Sequence, residues 1–129
     1  MEINAFGQHE QALRIRAHRN EVLSSNIANA DTPGYKARDI DFADALRQAG
    51  NTGVSLKKTS DLHQNAWRTA DHGGRLMYRV PMQSSLDGNT VEADVEQAAF
   101  AENAVQYRAT LAFLDGTIRT LKLAIKGSE

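Results

Sequence analysis

The chain has 129 residues, a length for one domain or for one domain with a long appendage. Hydrophobic residues make up 41% and aromatic residues only 6%, and the large apolar positions gather toward the two ends. Lys plus Arg number 15 against 16 Asp plus Glu, and this formal net charge of -1 argues against a general nucleic-acid binder, which needs a basic excess to neutralise phosphates.

The first predicted element is a helix from about Gln8 to Ala30. Phe6, Leu13, Ala17, Leu23 and Ile27 make its apolar face, with Asn20 inserted among them. It should end near Asp31, because Pro33 disfavours helical geometry at Thr32 and Gly34 permits positive φ. Pro33-Gly34 reads as the central pair of a type II turn. A short second helix is expected over Phe42 to Ala49, capped by Asp41 and ended by Gly50.

From Asn51 to about Asn89 the periodicity dissolves. Gly53, Gly73, Gly74 and Gly88 punctuate it, and only Val54 to Lys57 and Leu76 to Val80 look strand-like. The stretch is read as weakly structured alone, able to form a small hairpin, and ordered by its neighbours.

The last element is the clearest. Phe100, Ala104, Tyr107, Leu111, Leu114, Ile118, Leu121 and Ile125 recur at spacings of four and three, the stripe of a helix seeking a partner helix. A smaller stripe of Val91, Val95, Ala98, Val105, Ala109 and Ala112 lies roughly opposite. A helix from about Val91 to Lys126 would be about 50 Å long. Acidic residues fill its first half and Arg119, Lys122 and Lys126 its last turns, which suits the helix dipole. Gly127 supplies the stop. The fold is therefore mainly α: a long N-terminal helix (1–31) and a long C-terminal helix (91–129) pair as an antiparallel coiled-coil-like inner domain. A turn, a short helix and a loop-rich or β-hairpin middle (32–90) join them.

The chemistry of catalysis is hard to find. Cysteine is absent, which removes disulfides, thiolate catalysis and thiolate zinc sites. His9 and His18 sit about half a revolution apart on a helix. His63 and His72 lack metal-ligand spacing. Ser24 and Ser25 lack a nucleophile elbow, and Gly73-Gly74-Arg75 lacks the rest of a phosphate loop. Asp31, Asp39, Asp41 and Asp44 do not follow a calcium-loop spacing, and Lys36 and Arg38 dilute them. No catalytic, cofactor or metal site is expected. No apolar run exceeds four residues, far below the roughly 18 that span a bilayer. The start carries neither a basic nor an apolar leader region, so no cleaved signal is expected.

The segment LSSNIANADTPGYKARDIDF, from Leu23 to Phe42, resembles the signature of bacterial flagellar rod and hook proteins. Asn26, Ala28, Asn29, Thr32, Gly34, Tyr35 and Lys36 carry the match. Its fuller form, with Asp31, Pro33 and ARDIDF, is similar to proximal-rod members in particular. A second match runs from Tyr78 to Ala109, through LDGNTV at 86–91, Asp94-Val95-Glu96 and Ala101-Glu102-Asn103-Ala104.

That resemblance implies a structural subunit of the proximal rod, part of a hollow drive shaft that transmits torque and conducts exported subunits. It implies partners: copies of itself, other rod proteins, the adaptor joining rod to membrane ring, and the type III export apparatus. Neither nucleic acid nor direct membrane insertion is implied. It also implies termini that stay largely disordered before assembly. Phe100, Tyr107, Leu111, Leu114, Ile118 and Leu121 would pack on Leu13, Leu23 and Ile27. Ala98, Ala109 and Ala112 would admit a neighbouring subunit. Asn26 and Asn29 would satisfy free helix carbonyls or bridge to a neighbour, while Pro33, Gly34 and Tyr35 would redirect the chain into an extended inter-subunit connection. Within the same family, the alternative is another rod or hook axial protein. Two readings from other classes stand beside this: a free-standing helical adaptor or regulator, and a small enzyme using His63 or His72 with Asp39 and Asp41.

Overall fold

The computed structural model describes residues 5–50 and 75–127. Three helices and two short strands follow in the order α1 (Ala5–Ala28), β1 (Arg38–Ile40), α2 (Phe42–Gly50), β2 (Leu76–Tyr78) and α3 (Ala93–Lys126). The expected pair of long terminal helices is present, and α1 packs along α3. They run antiparallel: Asn26 near the end of α1 meets Glu96 near the start of α3, and Arg16 meets Gln106 further along. Since α3 has 34 residues and α1 has 24, α3 runs on past the first described turn of α1.

Each boundary has a local cause. Gly34 takes φ 73, and the Tyr35 N–H donates to the Thr32 carbonyl at 3.3 Å, closing the turn across Pro33-Gly34. Asp41 caps α2, its Oδ1 accepting the Asp44 N–H at 3.0 Å. Gly127, at φ 71, ends α3. The Val54–Lys57 segment lies outside the described residues. Leu76–Tyr78 does form a strand, and its partner is one the periodicity missed. It pairs antiparallel with β1 in the register Arg38↔Tyr78, Asp39↔Met77 and Ile40↔Leu76.

The apolar core is small. Ile15, Ile40 and Ala45 are buried together, with Val22, Phe42 and Leu46 packed against them. This core joins α1 to β1 and α2, not to α3. It also corrects the expected face of α1. Ala12, Ile15, Leu23 and Asn26 are the buried positions, while Phe6 and Ala17 are exposed and Leu13 and Ile27 are half-buried. The reason is that α1 is contacted from two directions, so its buried surface is an arc shared by two partners. Arg16 lies between them, its guanidinium 3.9 Å from the centre of the Phe42 ring. Such a stacked cation adds attraction on top of the apolar contact.

Candidate assembly site

The two sequence signatures dock on each other. Gly34 N–H donates to the Asp87 carbonyl at 3.0 Å, and Thr90 N–H donates to the Tyr35 carbonyl at 3.0 Å. Lys36 Nζ donates to the Gly88 carbonyl at 2.7 Å, and Ala37 N–H donates to Thr90 Oγ1 at 2.7 Å. Gly88 takes φ 75, and a Cβ there would stand 3.8 Å from the Gly34 Cα. The two glycines are thus placed back to back. Positive φ is the conformation that side-chain-bearing residues avoid, so both turns depend on glycine.

Asn89 completes this junction. Its Nδ2 lies within donating distance of the carbonyls of Asn29, Ala30 and Thr32, at 3.0, 2.9 and 2.8 Å. Its Oδ1 accepts the Val91 N–H at 2.7 Å. Just past α1 the Ala30 carbonyl has no main-chain partner, and this buried amide reaches it from a distant part of the chain, while adding to the N–H groups of Thr32 and Tyr35 already on the carbonyls of Asn29 and Thr32. Asn29 donates through its side chain to the Ser25 carbonyl at 2.8 Å, which also accepts its main-chain N–H at 3.1 Å. Below it, Asp87 accepts from Ser85 and from the Asn89 N–H, and these hydrogen bonds hold its carboxyl below the usual range.

Asn26 does something else. It accepts the Arg38 N–H at 3.1 Å and donates to the Arg38 carbonyl at 2.6 Å and to Glu96 Oε2 at 3.0 Å. The strand register explains the geometry. Arg79 N–H donates to the Ala37 carbonyl at 2.9 Å, so by the alternation of an antiparallel ladder the polar groups of Arg38 point away from β2. Asn26 meets them there and closes that edge of the sheet.

A charge network spreads from this point. Arg19 grips Asp39 with two hydrogen bonds, Nε to Oδ1 at 2.9 Å and Nη2 to Oδ2 at 3.0 Å. Arg79 also donates to Asp39 Oδ2 and places Nη1 3.1 Å from Glu96 Oε1. That last contact is off the hydrogen-bonding direction, so it acts as an ion pair. Two cations and two anions therefore balance across α1, β1, the residue after β2, and α3. Burial pushes the Asp39 carboxyl up, but hydrogen bonds from Arg19 and the Ile40 N–H, with the charges of Arg19 and Arg79, hold it below the usual range. Farther along the seam, Asn103 donates to the Arg16 carbonyl and to Asn20 Oδ1, both at 2.9 Å. Glu96 and Asn103 are the fully buried residues of α3.

The rest of α3 is open. Phe100, Tyr107, Leu114, Ile118 and Leu121 are half-buried, whereas Ala98, Ala109 and Ala112 are exposed. Val105, Leu111, Phe113, Leu123 and Ile125 are exposed as well. Leu111, Ala112, Leu114 and Ile118 line, with Arg108 and Asp115, a shallow hollow of about 530 Å³. Pro33 and Gly34 are exposed and Tyr35 is half-buried. The chain they redirect runs back along α1 of the same molecule.

A family model described as flagella basal body rod protein matches residues 9–36. The flagellar basal body rod protein FlgB of Escherichia coli (strain K12) is 48% identical over 116 residues, covering 85% of this chain and 84% of that protein. The chain belongs to the flagellar basal body rod protein family. The FlgB of Cereibacter sphaeroides (strain ATCC 17029 / ATH 2.4.9) is 52% identical over 122 residues, covering 95% of this chain and 94% of that protein. That of Aeromonas hydrophila is 46% identical over 127 residues, covering 97% and 95%. The family is structural and not enzymatic, and its place is the flagellar basal body.

Within this rod-family chain, several of the residues that hold the inner domain together escape a count of apolar periodicity. Glu96, Asn103 and Asn89 lie inside the segments that carry the resemblance, yet an apolar stripe passes over them. Arg19, Asp39 and Arg79 read as ordinary solvated charges until the fold joins them. His63 and His72 lie outside the described residues. Among the described residues, no group of three or more His, Asp or Glu is placed to hold a metal ion, and no helix is long and apolar enough to cross a membrane.

Proposed function

We propose that this rod-family chain is a subunit of the proximal rod. Its terminal helices pack with copies of itself and with other rod proteins into a hollow, periplasm-spanning shaft. The shaft transmits torque and conducts exported subunits. The subunit reaches it through the type III export apparatus without a cleaved signal, and the adaptor at the membrane ring is a further neighbour.

One observation supports this reading above the others: α3 is apolar on surface its own chain leaves open. Phe113 is 67% exposed, Leu123 71% and Ile125 84%. Among the described residues α3 thus keeps large apolar side chains open on several of its sides, a surface that suits contact with other molecules. The exposed Ala98, Ala109 and Ala112 add a face on which a neighbouring helix backbone can come close. These alanines are the proposed contacts, together with Leu111 and Leu114 in the hollow.

The test is Ala109→Leu. Ala109 is exposed, so the larger side chain leaves the fold of the single chain intact. The variant is expected to be exported normally, to be missing from isolated basal bodies, and to give non-motile cells. Normal motility would sink the close-packing assignment.

A further inference from the structure

The two-stranded sheet has two outer edges, and they are treated differently. On the β1 side the outward-pointing N–H and C=O of Arg38 are both taken by Asn26. On the β2 side the same alternation turns the main-chain groups of Leu76 and Tyr78 outward, and no described residue pairs with them. The side chains along this edge are apolar and open: Tyr78 is 72% exposed, Val80 87% and Met82 91%.

Three features show what would cover it. Outward main-chain donors and acceptors need polar partners in line, which an adding strand supplies and a helix face or lipid tails do not. Beside the strand, between α1 and the sheet, a cavity of about 180 Å³ is lined by Val22, Tyr35, Leu76, Arg38, Glu21 and Ser25. It would accept one side chain of an added strand. The cations Arg38, opposite Tyr78, and Arg75, next to Leu76, are both exposed and form no ion pair with a described residue.

We infer that the outer edge of β2 takes up an extended, apolar segment bearing acidic residues from another protein chain of the rod or its surroundings. The main chain of Leu76 and Tyr78 would pair with it, and Arg38 and Arg75 would meet its carboxylates. This rests on the rod-subunit reading and adds a second interface, separate from the terminal helices.

The full chain, carrying a photo-reactive benzoylphenylalanine at Val80, is expressed in motile cells, and crosslinked peptides are sequenced from isolated basal bodies. The expected product is an Asp- or Glu-containing peptide of a different chain. Arg38→Glu with Arg75→Glu should lower its yield about tenfold, the effect of losing one strong charge-assisted contact. Tyr78→Pro deletes an outward N–H without touching the ladder to β1, and should lower the yield similarly. Tyr78→Ala keeps that N–H and should not. Crosslinks only within the chain, to lipid, or to a peptide without acidic residues would overturn the inference, as would equal yields for the proline and alanine variants. These outcomes leave the rod reading standing as long as the chain is found in basal bodies. Its absence from them would remove both.

Discussion

The side-chain amide of Asn26 pairs with the main chain of Arg38 on both sides, accepting its N–H at 3.1 Å and donating to its carbonyl at 2.6 Å. One helical residue thus stands in for a neighbouring strand. Its second donation, to Glu96, ties the same point to α3. Helix, sheet and partner helix meet at one buried amide.

Replacing that amide with a hydrocarbon of similar size should be costly. Asn26→Leu leaves the Arg38 N–H and carbonyl without partners in a closed site, a loss of about 2–4 kcal/mol. Asn26→Asp should be worse at neutral pH, because it sets a second carboxylate against Glu96. Urea unfolding of the purified chain followed by circular dichroism should rank wild type, Leu and Asp in that order.

Asn89 offers a cleaner comparison at the end of α1. Asn89→Ala leaves the Ala30 carbonyl without a partner and takes a second donor from those of Asn29 and Thr32, which keep the Thr32 and Tyr35 N–H groups, and should cost about 1–3 kcal/mol. Asn89→Asp keeps the shape but turns a donor into an acceptor facing those carbonyls, so it should be no better than alanine. Both variants should show faster amide exchange at the end of α1 and at Val91, with exchange in α2 unchanged. Uniform loss of protection would contradict a local role.

The glycine pair separates backbone strain from crowding. A Cβ at Gly34 meets nothing within 4 Å, and one at Gly88 makes ordinary contact with the Gly34 Cα. Substitution costs should therefore come from positive φ, about 1–2 kcal/mol for alanine and more for a β-branched residue. Gly34→Asn should assemble better than Gly34→Val, since asparagine tolerates that conformation. Equal assembly of all variants into rods would show that positive φ is not needed there.

Acid should loosen the network before the small apolar core. The Asp39 carboxyl is held below its ordinary value of 3.8, so the folded state favours its ionised form. The stability this gives is present above the unfolded-state value and is lost as pH falls through the folded one. Wild-type unfolding midpoints should drop from about pH 5 downward, while Asp39→Asn should start lower at neutral pH and change less across the same window. Parallel curves for the two proteins would assign the acid response to other carboxylates.

Much of the architecture could be read from local pattern. The heptad-like recurrence from Phe100 to Ile125 marks α3, and Gly127 marks its end. Pro33-Gly34 turns the chain where expected, Asp41 caps α2, and Leu76–Tyr78 is a strand. The face of α1 was harder. Its apolar residues are few, and burial was divided between α3 and the β1–α2 core, so Ile15 is buried while Ala17 faces solvent. The charges were harder still. Arg19 and Asp39 are twenty positions apart, and Arg79 is forty from Asp39, spacings that no helical or strand period connects.

What the sequence determined by itself is the set of elements, their order, and a family whose members build the flagellar rod. Each of these depends on neighbouring residues, or on motifs legible as strings. The tertiary structure alone decided that 32–37 and 86–91 interlock, and that the α1–α3 seam is fixed by Asn26, Glu96 and Asn103. The physical reason is that an apolar residue seeks burial almost wherever it stands. A polar one can be buried only where a partner waits at the right distance, and that partner is known only once the chain has folded.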